Sequence, residues 1–110
     1  MAYSITYYDA NVQQQILALP ATLTARYVVL TSRMSVVGPN LGEPHTKAIG
    51  QGLFELRLKG AEGIARVFYC ALIGRRIIML HSFVKKTGKT PKRVLELALN
   101  RMKEVRHEDP

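Results

Sequence analysis

The 110-residue chain holds a single cysteine, no apolar run near the roughly 20 residues of a membrane span, and no acid at all across residues 63–95. Each absence excludes something. With Cys70 alone, no intrachain disulfide exists, and its place inside the apolar run "RVFYCALI" reads as a small buried thiol with no loop or helix N-terminus to activate it. The start, "MAYSITYYDA", lacks the basic-then-apolar layout of a secretory leader, so a cytoplasmic protein without a membrane partner is expected. The acids of the second half stand singly or at the end of the chain, at 55, 62, 96, 104, 108 and 109, which argues against a two-metal nuclease site. His45, His81 and His107 lack a cysteine pair or a carboxylate at ligand spacing, and "KKTGKT" has one glycine at the wrong spacing for a phosphate loop. No metal or other cofactor is expected.

What is present suits one folded domain over residues 1–110, with 47% hydrophobic and 22% charged residues. The net charge of +8 is unevenly placed. Residues 1–46 are neutral overall, so the whole excess lies in residues 47–110, and the acid-free stretch 63–95 alone carries eight Lys or Arg. A solvated face normally mixes signs. A stretch of one sign favours a polyanionic partner, phosphate above all.

The pattern predicts a β-α-α-β-β-β-α order, an α+β domain. "AYSITYY" alternates as a strand; Asp9 caps a helix through "NVQQQILAL" that Pro20 stops; and Leu23, Tyr27, Leu30 and Met34 line one face of a second helix over about residues 21–36. These two helices are expected to form a hairpin covering one sheet face. Residues 38–46, "GPNLGEPHT", read as a loop. From residue 53 the period becomes two: Phe54, Leu56 and Leu58 take one face, and Glu55, Arg57 and Lys59 the other. "GAEG" turns into "IARVFYCALI", and "GRR" turns into "IIMLHSFV", giving a three-strand meander. Pro91 then opens a helix with Thr90 as its cap.

What chemistry remains is that of cations. RNA is cut without metal when its 2′-OH attacks the adjacent phosphate, a transition state that gathers negative charge which preorganised Arg and Lys stabilise. Arg57 and Lys59 on one strand, Arg66 on the next, and Lys85 with Lys86 leaving the third can converge on one phosphate. Arg66, lone among apolar neighbours, needs an anion, and either Glu55 across the hairpin or a substrate phosphate meets that need. Lys89, Lys92 and Arg93 extend the basic run, and His81 at a strand end is a candidate RNA contact and proton carrier. Tyr69 alternates away from Arg66 into the core, whereas Tyr7, Tyr8 and Phe83 are candidates for stacking on a base. A lysine within the cation cluster is a second candidate base.

The strings "LGEPHTKAIGQGLFELRLKG", "ARVFYC" and "IIMLHSFVKKTGKTP", in this order and followed by a helix, resemble the HigB-like branch of the RelE superfamily of toxins from bacterial and phage toxin–antitoxin modules. The resemblance covers about residues 41–105; residues 1–40 fit only in their β-α-α layout. It implies a RelE-like, mostly antiparallel fold and a metal-independent endoribonuclease that cuts messenger RNA in the ribosomal A site. It also implies a helix-turn-helix, HigA-like antitoxin, through which alone operator DNA is contacted. Carried over residue by residue, Arg66 matches the strand arginine set against the scissile phosphate, Arg57 the cation of the neighbouring strand, and Lys86 with Lys85 the cations after the last strand. One departure is plain. The tyrosine some members carry near the C-terminus has no counterpart in "TGKTPKRVLEL". Two other readings use the same charge: a non-catalytic RNA- or DNA-binding module, and an interaction domain whose basic groove receives an acidic partner.

Overall fold

The computed structural model describes residues 2–85 and 89–108. Strand β1 (Ser4–Tyr7) leads into helix α1 (Ala10–Leu17), whose N-terminus is capped by the Asp9 carboxylate accepting the Val12 N–H at 2.9 Å. Helix α2 (Ala21–Val37) ends at Gly38, held at φ 106°, a conformation that glycine adopts at little cost. Then come β2 (Thr46–Gly50), β3 (Leu53–Gly60), β4 (Gly63–Leu72), β5 (Arg76–Lys85) and α3 (Lys92–Glu108).

The predicted order therefore holds, with one strand added. Residues 47–50, which follow the predicted loop, carry no element in the sequence reading because "TKAIG" mixes a lysine with small residues and shows no clear alternation. Pairing, not propensity, makes it a strand: it hydrogen-bonds along β3 as the sheet edge, with a bulge between Ala48 and Gly50, and Lys47 on it discourages further strand addition. The sheet order is β1-β5-β4-β3-β2, antiparallel except for β1 beside β5.

Two cores sandwich the sheet. On one face Leu23, Tyr27, Leu30 and Met34 of α2, with Val12 and Ile16 of α1, pack on Leu56, Leu58, Val67, Tyr69 and Met79. On the other, Ala98 and Met102 of α3 pack on Phe68, Cys70 and Leu80. Tyr69 is in the first core, as its alternation predicts, and Cys70 is fully buried, which pushes its thiol pKa up and away from reactivity. The β3–β4 turn serves α2: the Glu62 carboxylate accepts both the N–H and the hydroxyl of Thr22, each at 2.8 Å, supplying a cap that Pro20 cannot. Gly60 fits there because a Cβ would lie 2.5 Å from the Thr22 hydroxyl.

The 38–46 segment is tied down on both sides. The Tyr69 hydroxyl donates to the Pro39 carbonyl, and the buried Thr46 hydroxyl accepts the Leu41 and Gly42 N–H groups at 3.0 and 2.9 Å while lying 3.2 Å from Asn40 Oδ1 as donor. Thr46→Val, nearly isosteric, strands the Leu41 N–H, while the Gly42 N–H keeps Asn40 Oδ1 at 3.0 Å, so it is expected to cost about 1–3 kcal/mol. Thr46→Ser retains the hydroxyl and most of the stability. Urea unfolding midpoints measure both; an unchanged midpoint for the valine variant would show that the hydroxyl does not hold this loop.

Candidate nucleic-acid interface

Register decides where the cations meet. Arg57 of β3 is directly opposite Arg66 of β4, which is opposite Phe83 of β5; one row on, Lys59 faces Ile64, which faces Lys85. Cross-strand partners share a sheet face, so these two rows project together on the α3 side of the sheet. The Arg57 N–H donates to the His45 carbonyl at 2.9 Å, extending the β2–β3 pairing by one residue and adding His45 to the Arg57–Arg66 row.

The result is a pocket of about 420 Å³ lined by Arg26, Pro44, His45, Arg57, Lys59, Ile64, Arg66 and Lys85. A second pocket of about 300 Å³, lined by Lys47, Ile49, Glu55, Arg57, Arg66, Lys89, Thr90 and Leu95, lies against the start of α3. Arg57 and Arg66 line both, so they form the ridge between them. Arg57, Lys59, Arg66 and Lys85 were expected to converge, and the register brings them together. Lys89 joins the second pocket. Lys92 and Arg93 are exposed at the start of α3, lining neither, with Lys92 4.0 Å from Glu96. Lys86 lies outside the described residues.

Two like charges directly opposite on neighbouring strands repel. Glu55 answers that: its side chain is 3% exposed, and Oε1 lies 2.8 Å from Arg66 Nε and 3.8 Å from Arg57 Nε. The structural partner named for Arg66 from the sequence is thus in place. Thr90 is a second one, accepting from Arg66 Nη1 at 2.7 Å, so the hydroxyl expected to cap α3 serves the arginine. Arg57 also contacts Glu43 at 3.4 Å, a pair whose carboxylate is two-thirds exposed and so of little strength. The buried Glu55 contacts are close without hydrogen-bond alignment, which leaves Nε–H of Arg57 and of Arg66 without a hydrogen-bond acceptor among the described residues.

His81 is elsewhere. It pairs with Phe68, one row beyond Arg66–Phe83, and its ring is half-buried at a different depression, lined also by Gln15, Leu19 and Ser82. Burial first, and then the Arg101 guanidinium, hold its pKa below the ordinary 6.5. Arg101 itself donates to the Leu80 carbonyl at 2.7 Å and stacks 4.6 Å over the Tyr8 ring, whose hydroxyl bonds Glu104. Tyr8 is thereby committed to α3, and Tyr7 bonds Tyr27 at 2.8 Å, so neither is offered to a base; Phe83 packs on the α3 core. The sequence reading passed over His45, Arg26, Lys47 and Thr90. Only the basic residues carried any signal, and what places His45 is its pairing beside Arg57.

Replacing Glu55 by glutamine leaves Arg66 with one neutral partner, and the loss of the buried pair is expected to destabilise the fold by roughly 3 kcal/mol in chemical unfolding. A gain in stability would mean that the carboxylate's desolvation outweighs its pairing. A pH step is expected from His81. The folded chain favours the neutral ring, so the unfolded chain takes up the proton first as pH falls through 6.5, and stability present above that pH declines below it. His81→Asn should flatten this part of the melting temperature profile; an identical profile would exclude the ring as its source.

The family model described as phage derived protein Gp49-like (DUF891) matches residues 14–103. Among solved structures, the E. coli toxin RelE, as a double arginine-to-alanine mutant in the free state, is similar over 93% of this chain and 99% of its own, with a TM-score of 0.67 and 14% sequence identity. No curated protein matches the chain. Among the described residues no helix is long and apolar enough to cross a membrane. The three helices around a five-stranded, mostly antiparallel sheet are the RelE fold. The chain belongs to the phage-derived Gp49-like family, a RelE/HigB-type toxin family.

Proposed function

We propose that this protein is the toxin of a toxin–antitoxin pair and a metal-independent endoribonuclease that cuts messenger RNA at the ribosomal A site in the cytoplasm. A helix-turn-helix antitoxin holds it inactive and supplies any contact with operator DNA. The observation that carries this reading is the opposed Arg57–Arg66 pair, walled by Lys59 and Lys85, in a pocket whose described lining holds no acid. A phosphodiester seated there meets the exposed part of Arg57 and the flanking lysines. As the 2′-oxygen attacks phosphorus, charge grows on the non-bridging oxygens, and preorganised guanidinium groups stabilise it more than they stabilise the ground state. Rows of lysine on both sides then track the flanking phosphates, and Lys86, Lys89, Lys92 and Arg93 extend that track along the chain.

A non-catalytic RNA- or DNA-binding module is the second reading, and it has its own observation: Arg66 is already engaged by Glu55 and Thr90. Cations held in that way still bind phosphate. The two readings part under mutation.

Induced wild type is expected to arrest growth and to produce new 5′ ends inside translated codons by primer extension. Losing one charge-stabilising donor typically costs 10²–10³-fold in rate, so Arg66→Ala should abolish both effects. Because that change also leaves Glu55 unpaired, the half-exposed Arg57→Ala is run beside it, with circular dichroism melts for both. Growth arrest without new 5′ ends, or cleavage retained by a folded Arg66→Ala protein, would overturn the nuclease reading or the role of Arg66. A graded, salt-steep loss of RNA affinity with no cleavage identifies the binding module.

A further inference from the structure

In-line cleavage of RNA needs two proton transfers on opposite sides of one phosphorus. A base takes the proton of the attacking 2′-OH, and an acid protonates the departing 5′-oxygen, with 10²–10⁴-fold in rate typical of such a group. The ridge residues supply neither well, because arginine is protonated at every relevant pH. One group of the right type stands beside the ridge within reach of a ligand: His45 lines the pocket with Lys59 and Lys85, whereas Glu55 is buried between the two arginines.

His45 is held there by the backbone. Its N–H donates to the Gly42 carbonyl at 3.1 Å and its own carbonyl accepts from Arg57 N, which places it in register with the ridge, while the Thr46 hydroxyl fixes the turn that precedes it. The ring is partly exposed at the pocket wall, so a ligand can reach it. Every other titratable group lining that pocket is a cation: Arg26 from α2, Arg57 and Lys59 from β3, Arg66 from β4 and Lys85 from β5. Histidine is the one residue type in the set that ordinarily gives up a proton near neutral pH. The described lining offers the 5′-oxygen no better donor.

Resting on the nuclease reading, we propose that His45 is the general acid of this site. The 2′-oxygen forms its bond to phosphorus as its proton passes to water. The bond from phosphorus to the 5′-oxygen breaks as that oxygen takes the proton of the His45 imidazolium. The products are a 2′,3′-cyclic phosphate and a 5′-hydroxyl. Protons balance: water carries one away and the neutral imidazole is left one short, so exchange with water restores it. His45 then takes the proton-donating duty that the resemblance leaves unassigned here, while His81, the candidate read from the sequence, is opposite Phe68 and lines a different depression.

The test compares two messenger RNAs on programmed ribosomes, one ordinary and one with sulfur in place of the 5′-oxygen at the cleaved linkage. A thiolate leaves without a proton. For His45→Ala and His45→Gln, ordinary RNA is expected to be cut 10²–10³-fold more slowly than by wild type. The sulfur-bridged RNA should be cut at close to the wild-type rate, which also certifies the variants as folded. Equal slowing on both RNAs would reduce His45 to an RNA-positioning residue, and wild-type rates on both would remove it from the site; either overturns the assignment. Wild type cutting neither RNA would instead overturn the nuclease reading on which it rests.

Discussion

The structure turns on one buried contact, the Glu55 carboxylate set between two arginines that the β3–β4 register places face to face. Without an anion there, Arg57 opposite Arg66 is a like-charge pair on adjacent strands, one of them 15% exposed, and desolvation adds to the repulsion. A single carboxylate resolves this only in part. It approaches both guanidinium groups, so the sheet is held together, while the described lining of the pocket sets no acid beside Arg26, Lys59 and Lys85. The same residue therefore lets a cationic pocket exist in the resting fold and leaves it with a net positive charge.

The rest of the fold limits where such a pocket can be. α1 and α2 cover one sheet face with a continuous apolar layer, and α3 covers part of the other through Ala98 and Met102. Beyond the start of α3 the second face has no helix over it, and β3, β4 and β5 present their Arg57, Lys59, Arg66 and Lys85 there. The Arg66 bond to Thr90 marks the boundary, coupling the pocket to the approach of α3. Glu62, the one acid near this end of the hairpin, is turned to Thr22 on the opposite face, where those bonds lower its pKa and keep it charged as a cap. The acid-free stretch thus reflects a face whose only buried counter-charge among the described residues comes from Glu55 on β3.

The legible parts of this arrangement were those written locally. The two-residue period of "LFELRLK" put Arg57 and Lys59 on one face, and an arginine inside "IARVFYCALI" announced that something must pair with it. β2 was not legible, because its strand character comes from β3's hydrogen bonds and not from "TKAIG" itself. His45 was hidden with it: a histidine in "GEPHT" reads as loop until the edge strand sets it beside Arg57. His81 lies apart for a related reason. It pairs with Phe68 one row beyond Phe83, where residues of α1 and the turn after it border the depression, and counting along β5 does not show which helix closes a row. Tyr8 looked free for stacking only because Glu104 and Arg101 lie 96 and 93 residues further on.

That pattern has a physical source. Charge and alternation are properties of a strand, so one strand's sequence states them. A catalytic arrangement is a property of the rows that run across strands, and a row is fixed by register, by bulges and by which loop closes the edge. Here the row His45–Arg57–Arg66 crosses three strands, one of them recognisable only from its partner. The cations themselves could be found without the structure because electrostatics tolerates displacement of a few ångströms. Proton transfer does not, so a proton donor such as His45 is the part that only the assembled sheet places.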